Sequence, residues 1–161
     1  HSDAYFHTVN FEEIVAYTVL GQGNTCGTTT ATGNNLPIPS VPAGGFTIPA
    51  NTPFALTGSA TDANGDSLTY NWEEYDLGAA GGPGVNTNPP FFRSWNATTS
   101  PTRTFPRLSN LLANTLAIGE VLPNVTRTMN FRMTVRDNRA GGGGVAWAPL
   151  AFGVTTAAGP L

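Results

Sequence analysis

The sequence has no lysine; its seven basic residues are all arginine. Charged side chains are 11% of 161 residues, against roughly a quarter in an average soluble domain. The formal charge of −3 is too mild to point to nucleic acid or an anionic membrane as a partner. Histidine is confined to His1 and His7, so no later residue supplies an imidazole base or completes a zinc site. No HExxH, GxSxG, P-loop or paired CxxC motif occurs. No run of about 18 apolar residues occurs, so no helical membrane insertion is expected. Cys26 is the single cysteine, which leaves two readings: a buried free thiol, or a thiol paired outside this chain. The chain starts at His1 and shows no signal peptide, so a processed or excised piece is expected.

Glycine (19) and proline (13) are abundant, and threonine and asparagine are frequent. A surface of hydroxyls and amides rather than charges suits an extracellular β-protein. The first twenty residues differ from the rest. In "VNFEEIVAYTVLG", Asn10 stands before Phe11 with Glu13 three positions on, a capping-box-like helix start. Ile14, Val15 or Leu20, and Tyr17 can form one apolar stripe, and Gly21 would stop the helix. About three turns are marginal alone in water, so this helix must dock on something. Residues 21–53 carry five prolines, Pro37, Pro39, Pro42, Pro49 and Pro53. They forbid a helix and leave room for an edge strand over Phe46–Ile48.

From Phe54 the period is two. Leu68, Tyr70 and Trp72 alternate with polar residues, as do Met129, Phe131, Met133 and Val135, and then Leu150, Phe152 and Val154. Strands separated by turn signals predict an all-β fold, an immunoglobulin-like β-sandwich over residues 29–161. Its expected core is Leu56, Leu68, Tyr70, Trp72, Phe131, Met133, Val135, Phe152 and Val154. "RDNRAGGGG" reads as a hairpin loop and residues 77–92 as a long loop. "LSNLLANTLAIGE" reads as a short helix or turn.

"ATDANGDSLTYNW" places Asp62, Asn64 and Asp66 at alternate positions with Gly65 between the last two. That spacing suits oxygen ligands of Ca²⁺, which takes six to eight, and Asp137 opens a turn that can lie at the same end. The competing reading is an Asx turn that needs no ion. A glycosidase pair would need a cleft between its carboxyls, and nothing in the sequence builds one. Trp72 is expected in the core. Trp95 and Trp147 remain candidates for a glycan-binding platform. Arg103, Arg107, Arg132 and Arg136 are expected in exposed rows, pairing with Glu73 or Glu74.

"FALTGSATDANGDSLTYNWEEYD" and "RTMNFRMTVRDNRAGGG" resemble portions of immunoglobulin-like domains of the cadherin/polycystic-kidney-disease type. "FHTVNFEEIVAYTVLGQGNTCGT" is similar to the end of the catalytic domain of reprolysin-like zinc metallopeptidases. The order of these pieces resembles large secreted surface proteins of gliding bacteria. The resemblance implies that residues 1–28 close an upstream peptidase domain and that 29–161 form the sandwich. It also implies an extracellular or cell-surface location, and it makes the "DSL" at Ser67 a candidate O-glycosylation motif. The peptidase's zinc motif is absent, so a non-catalytic structural or adhesive module is expected. The alternatives are an accessory domain of a zinc peptidase and a carbohydrate-binding module. Self-assembly into a homo-oligomer or filament is also expected, with Phe11, Ile14 and Tyr17 docking on a neighbouring copy.

Overall fold

The computed structural model describes residues 5–76, 78 and 89–159. The chain is β-rich, with eight strands among the described residues: β1 (Ile38–Ser40), β2 (Thr47–Pro49), β3 (Phe54–Thr57), β4 (Ser59–Thr61), β5 (Thr69–Glu74), β6 (Thr102–Phe105), β7 (Arg127–Arg136) and β8 (Val145–Thr155). Two helices, α1 (Thr8–Val15) and α2 (Leu108–Ala113), complete the set together with short π and 3-10 turns after α1.

β2, β8, β7 and β5 form one four-stranded sheet in that order. β2 lies parallel to β8, with Ile48 opposite Val154; the other pairs are antiparallel. The expected edge strand is therefore present, one residue later than its apolar pattern indicated. β1 pairs with β4 and β3 with β6, each antiparallel. The glycine-rich loop joins β7 to β8 as expected. Most of the 77–92 loop lies outside the described residues.

Alternation places Met129, Phe131, Met133 and Val135 on the inner face of β7. Opposite them in register stand Trp72 on β5 and Phe152 and Leu150 on β8. Rings join this sheet to the β3–β6 pair. Phe54 stacks on Phe105 at 4.9 Å, and Phe105 meets Phe131 at 5.0 Å. Phe131 stacks on Phe152 at 5.6 Å. Each such pair adds about 0.5–1.5 kcal/mol beyond the area it buries. Seven of the nine expected core residues are buried, and Leu68 and Tyr70 pack on the core half-buried. Gly58, between β3 and β4, lets the chain pass over this core. A Cβ there would lie 2.4 Å from Met133 Sδ.

The helix begins three residues before its expected start. His7 is the N-cap, and the Asn10 side chain accepts the His7 N–H at 3.1 Å. Asn10 thus closes the first turn from within the helix. α1 lies on the outer face of the four-stranded sheet, and its contacts there are mainly polar. Thr8 N–H donates to Glu73 Oε2 at 3.1 Å, Arg132 pairs with Glu12 at 2.8 Å, and Arg136 donates to the Phe6 carbonyl at 3.0 Å. Glu73 and Thr134 are buried beneath this end of the helix.

The expected exposed rows of arginine are not what forms. Arg132 pairs with Glu12, not with Glu73 or Glu74, and lies 3.5 Å over the Tyr75 ring. Arg103 is half-buried, donating to the Trp72 and Arg93 carbonyls and to Glu120 Oε1 at 2.6 Å. Although ten acids face seven arginines, several guanidiniums are satisfied by backbone carbonyls and aromatic rings, contacts that the planar, multi-donor guanidinium suits.

Candidate functional site

β4 ends at Thr61 and β5 begins at Thr69. The turn between them is built by one side-chain oxygen. Asp62 Oδ1 accepts from Asn64 N–H at 2.9 Å and Asp66 N–H at 3.0 Å. Gly65, at φ +73°, lets the backbone close. The Asx turn expected here is present, and it uses one oxygen of Asp62. The other, Oδ2, is buried and has no hydrogen-bond partner.

Asp137 reaches the same place from the end of β7. Its carboxylate accepts from Gly144 N–H at 2.8 and 2.9 Å, from Arg139 N–H at 3.1 Å and from Asn34 Nδ2 at 2.6 Å. Burial pushes the Asp137 carboxyl up. The bonds from Asn34, Arg139 and Gly144, with the Arg139 charge, outweigh that and hold it below the ordinary carboxylate value. One carboxylate oxygen each from Asp62, Asp66 and Asp137 lie within 4.8 Å of one another. Arg139, 3.3 Å from Asp66 Oδ2, is the one cation paired with the group among the described residues. A like-charge contact at this separation costs roughly 1–3 kcal/mol across effective dielectrics of 80 to 20.

Three of the four expected metal-site residues thus converge. Asn64 does not: its Oδ1 accepts from the Asn35 N–H at 2.8 Å and the Asn35 side chain at 3.2 Å. Asn34, one residue earlier, is the unforeseen member. Its Nδ2 holds Asp137, and its Oδ1 is buried without a partner. No local signal marks it, because it lies 103 residues from Asp137. Hard oxygens from three carboxylates are donors of the kind that Ca²⁺ takes.

The remaining candidates are placed as follows. Trp72 is in the core, as expected. Trp95 carries the Arg93 guanidinium 4.1 Å and the Arg107 guanidinium 4.5 Å from its ring centre. Two guanidiniums thus lie against this one ring. Trp147 is half-buried on β8 opposite Thr134. Ser67 is exposed and Cys26 is exposed rather than buried. Phe11 lies under Arg136, while Ile14 and Tyr17 are exposed. The docking expected on a neighbour is met in part within the chain: residues 5–12 lie on their own sheet, and β1 and β2 pair with their own strands. His1 lies outside the described residues.

A Ser–His–Glu set also assembles, unforeseen. Glu73 Oε1 accepts from Ser94 Oγ at 2.8 Å and lies 3.2 Å from His7 Nδ1. The carboxylate stands between the other two. A nucleophile activated by a base needs the imidazole in that position, so this wiring anchors the N-terminal segment. The chain matches no protein-family model and no curated protein sequence.

Proposed function

We propose that the chain is an immunoglobulin-like module of an extracellular or bacterial surface protein, structural or adhesive in role, with one end braced by a calcium ion. The observation that carries this reading is the convergence of Asp62, Asp66 and Asp137 within 4.8 Å. The buried Oδ2 of Asp62 has no hydrogen-bond partner, and it is an oxygen that a cation would satisfy. Asp62 and Asp66 would face the ion from the β4–β5 turn and Asp137 from the β7–β8 loop, where the Asn34 amide N–H holds the Asp137 carboxylate. Such an ion would tie two loops that nothing covalent joins.

The strand order supports the immunoglobulin-like assignment. The four-stranded order β2-β8-β7-β5 with a parallel β2–β8 edge, the separate β1–β4 and β3–β6 pairs and a buried Trp72 on β5 are features that such a fold would share.

Thermal unfolding with calcium and with chelator tests the ion. A ligand at a hundredfold excess over Kd stabilises by about 2.7 kcal/mol, which raises Tm by several degrees. An identical Tm in millimolar calcium and in chelator overturns the reading. Asp137→Ala should abolish the calcium-dependent part of the shift.

A second reading, an accessory domain of a secreted zinc peptidase, is favoured by Ile14, Tyr17, Val19 and Leu20, exposed together after the docked turn of α1. They form a surface that a larger body would cover. The intact mass of the chain from its native source tests it. A longer chain bearing HExxH supports this reading, and a chain of this mass removes it.

A further inference from the structure

β6 has β3 on one side and no strand on the other among the described residues. Backbone pairing alternates along an antiparallel ladder. The Gly58 N–H donates to the Pro101 carbonyl at 3.1 Å. Counting from that bond, Leu56–Arg103 and Phe54–Phe105 are the hydrogen-bonded pairs of the register. The N–H and C=O of Thr102 and Thr104 therefore point away from β3, toward the open edge.

Thr102 is satisfied locally. Its N–H donates to Ser100 Oγ at 3.2 Å, and its carbonyl accepts from the same hydroxyl at 3.3 Å. Among the described residues Thr104 has no such neighbour. It lines a cleft of about 560 Å³ whose other walls include Tyr70, Trp95, Asn96, Thr98 and Arg107. Arg107 is stacked on Trp95, and its guanidinium has no carboxylate partner among the described residues. Trp95 is itself fixed, because its Nε1–H donates to buried Glu120 at 2.9 Å. Among the described residues the cleft thus presents an unpaired backbone donor and acceptor on a strand edge, beside a guanidinium stacked on Trp95 with no carboxylate partner.

We propose that this cleft receives an extended peptide segment of a partner protein, added as a strand at Thr104 and placing an acidic side chain on Arg107. Strand addition supplies the N–H and C=O that the Thr104 edge lacks. The charge of Arg107 selects a carboxylate, which a guanidinium holds by paired donors. Glycan stacking is disfavoured, since two guanidiniums already occupy the Trp95 ring.

The test is selection of a displayed random dodecapeptide library on the full chain, followed by synthesis of the enriched peptides. The expected consensus is one Asp or Glu within an extended, β-branched run. Its replacement by Asn or Gln should weaken binding about tenfold, and so should Arg107→Gln. The Thr104 amide should shift in the NMR spectrum and gain protection from exchange in the complex. No enrichment, a consensus without an acid, or binding that leaves the Thr104 amide unchanged overturns the proposal. If Arg107→Gln lowers Tm, the peptide's own Glu→Gln change carries the charge test instead.

Discussion

The backbone N–H of Thr8 donates to Glu73 Oε2 at 3.1 Å, across 65 residues of sequence. Thr8 is the first residue of α1, where an N–H has no partner inside the helix. The sheet supplies the acceptor, and the same carboxylate takes bonds from Ser94 and Thr134. Thr8→Pro isolates this bond. Proline suits the first helical position, and His7 already has an extended ψ of 161° that tolerates a following proline. The helix should survive while the donor is lost. The expected cost is about 1–3 kcal/mol, read by denaturant unfolding and by faster amide exchange in α1. Thr8→Val keeps the N–H and removes a buried hydroxyl that has no partner, so it should be near neutral. A Thr8→Pro protein as stable as wild type would mean the bond contributes nothing.

Glu120 is the second buried hub, and its loss should be the more damaging. Its carboxylate accepts from Arg103 at 2.6 Å, Trp95 Nε1 at 2.9 Å and Arg107 N–H at 2.8 Å. Burial pulls the Arg103 guanidinium below its ordinary pKa, and Glu120 opposes that pull. Removing one partner of such a pair strands the other charge, at a cost of about 3–5 kcal/mol. Glu120→Gln keeps the shape and loses the charge, so chemical denaturation should show most of that loss. Arg103→Lys should also fail to restore stability, because one ammonium cannot span the Trp72, Arg93 and Glu120 acceptors.

Glu74 gives a pH dependence of opposite sign to ordinary carboxylates. Burial and a hydrogen bond to Asp76 push it up to about 8, against the bonds it accepts from Phe91 and Phe92. A raised folded pKa means the native state holds the proton more tightly than the unfolded chain. The resulting stability is full below about pH 4.5, falls as pH rises toward 8, and is gone above it. Glu74→Gln removes this dependence while retaining an acceptor for the two N–H groups. The variant should match wild type at pH 4 and exceed it at pH 9, by on the order of a few kcal/mol. Equal stabilities at pH 9 would contradict the assigned protonation.

The inner faces of β5, β7 and β8 were legible because alternation over six to eleven residues admits one register. The carboxylate cluster was legible for Asp62, Asp66 and Asp137, since strand ends at one pole bring their turns together. Asn64 misled because regular spacing says nothing about which way a turn side chain points. Phe91, Phe92 and Phe105 form much of the core, yet they sit in segments too short or irregular to show a period. The arginines were misread for a related reason. Arg103 occupies a strand position that favours neither face by type, and its acceptors lie 10, 17 and 31 residues away.

The carboxylate cluster makes a prediction in which the sign, not the size, decides. Asp62 Oδ1 builds the turn, and Asn in its place keeps that acceptor. Oδ2 is buried, unpartnered and within 4.8 Å of its acidic neighbours. In chelator, Asp62→Asn removes a like charge and offers an amide N–H to the neighbouring carboxylates. The variant should then be more stable than wild type by roughly 1–3 kcal/mol. In millimolar calcium the same change removes a charged ligand and weakens the ion's hold, so the variant should melt below wild type. The two melting curves should exchange order between the conditions. A variant that lies on the same side of wild type in both would show that the three carboxylates meet without an ion between them.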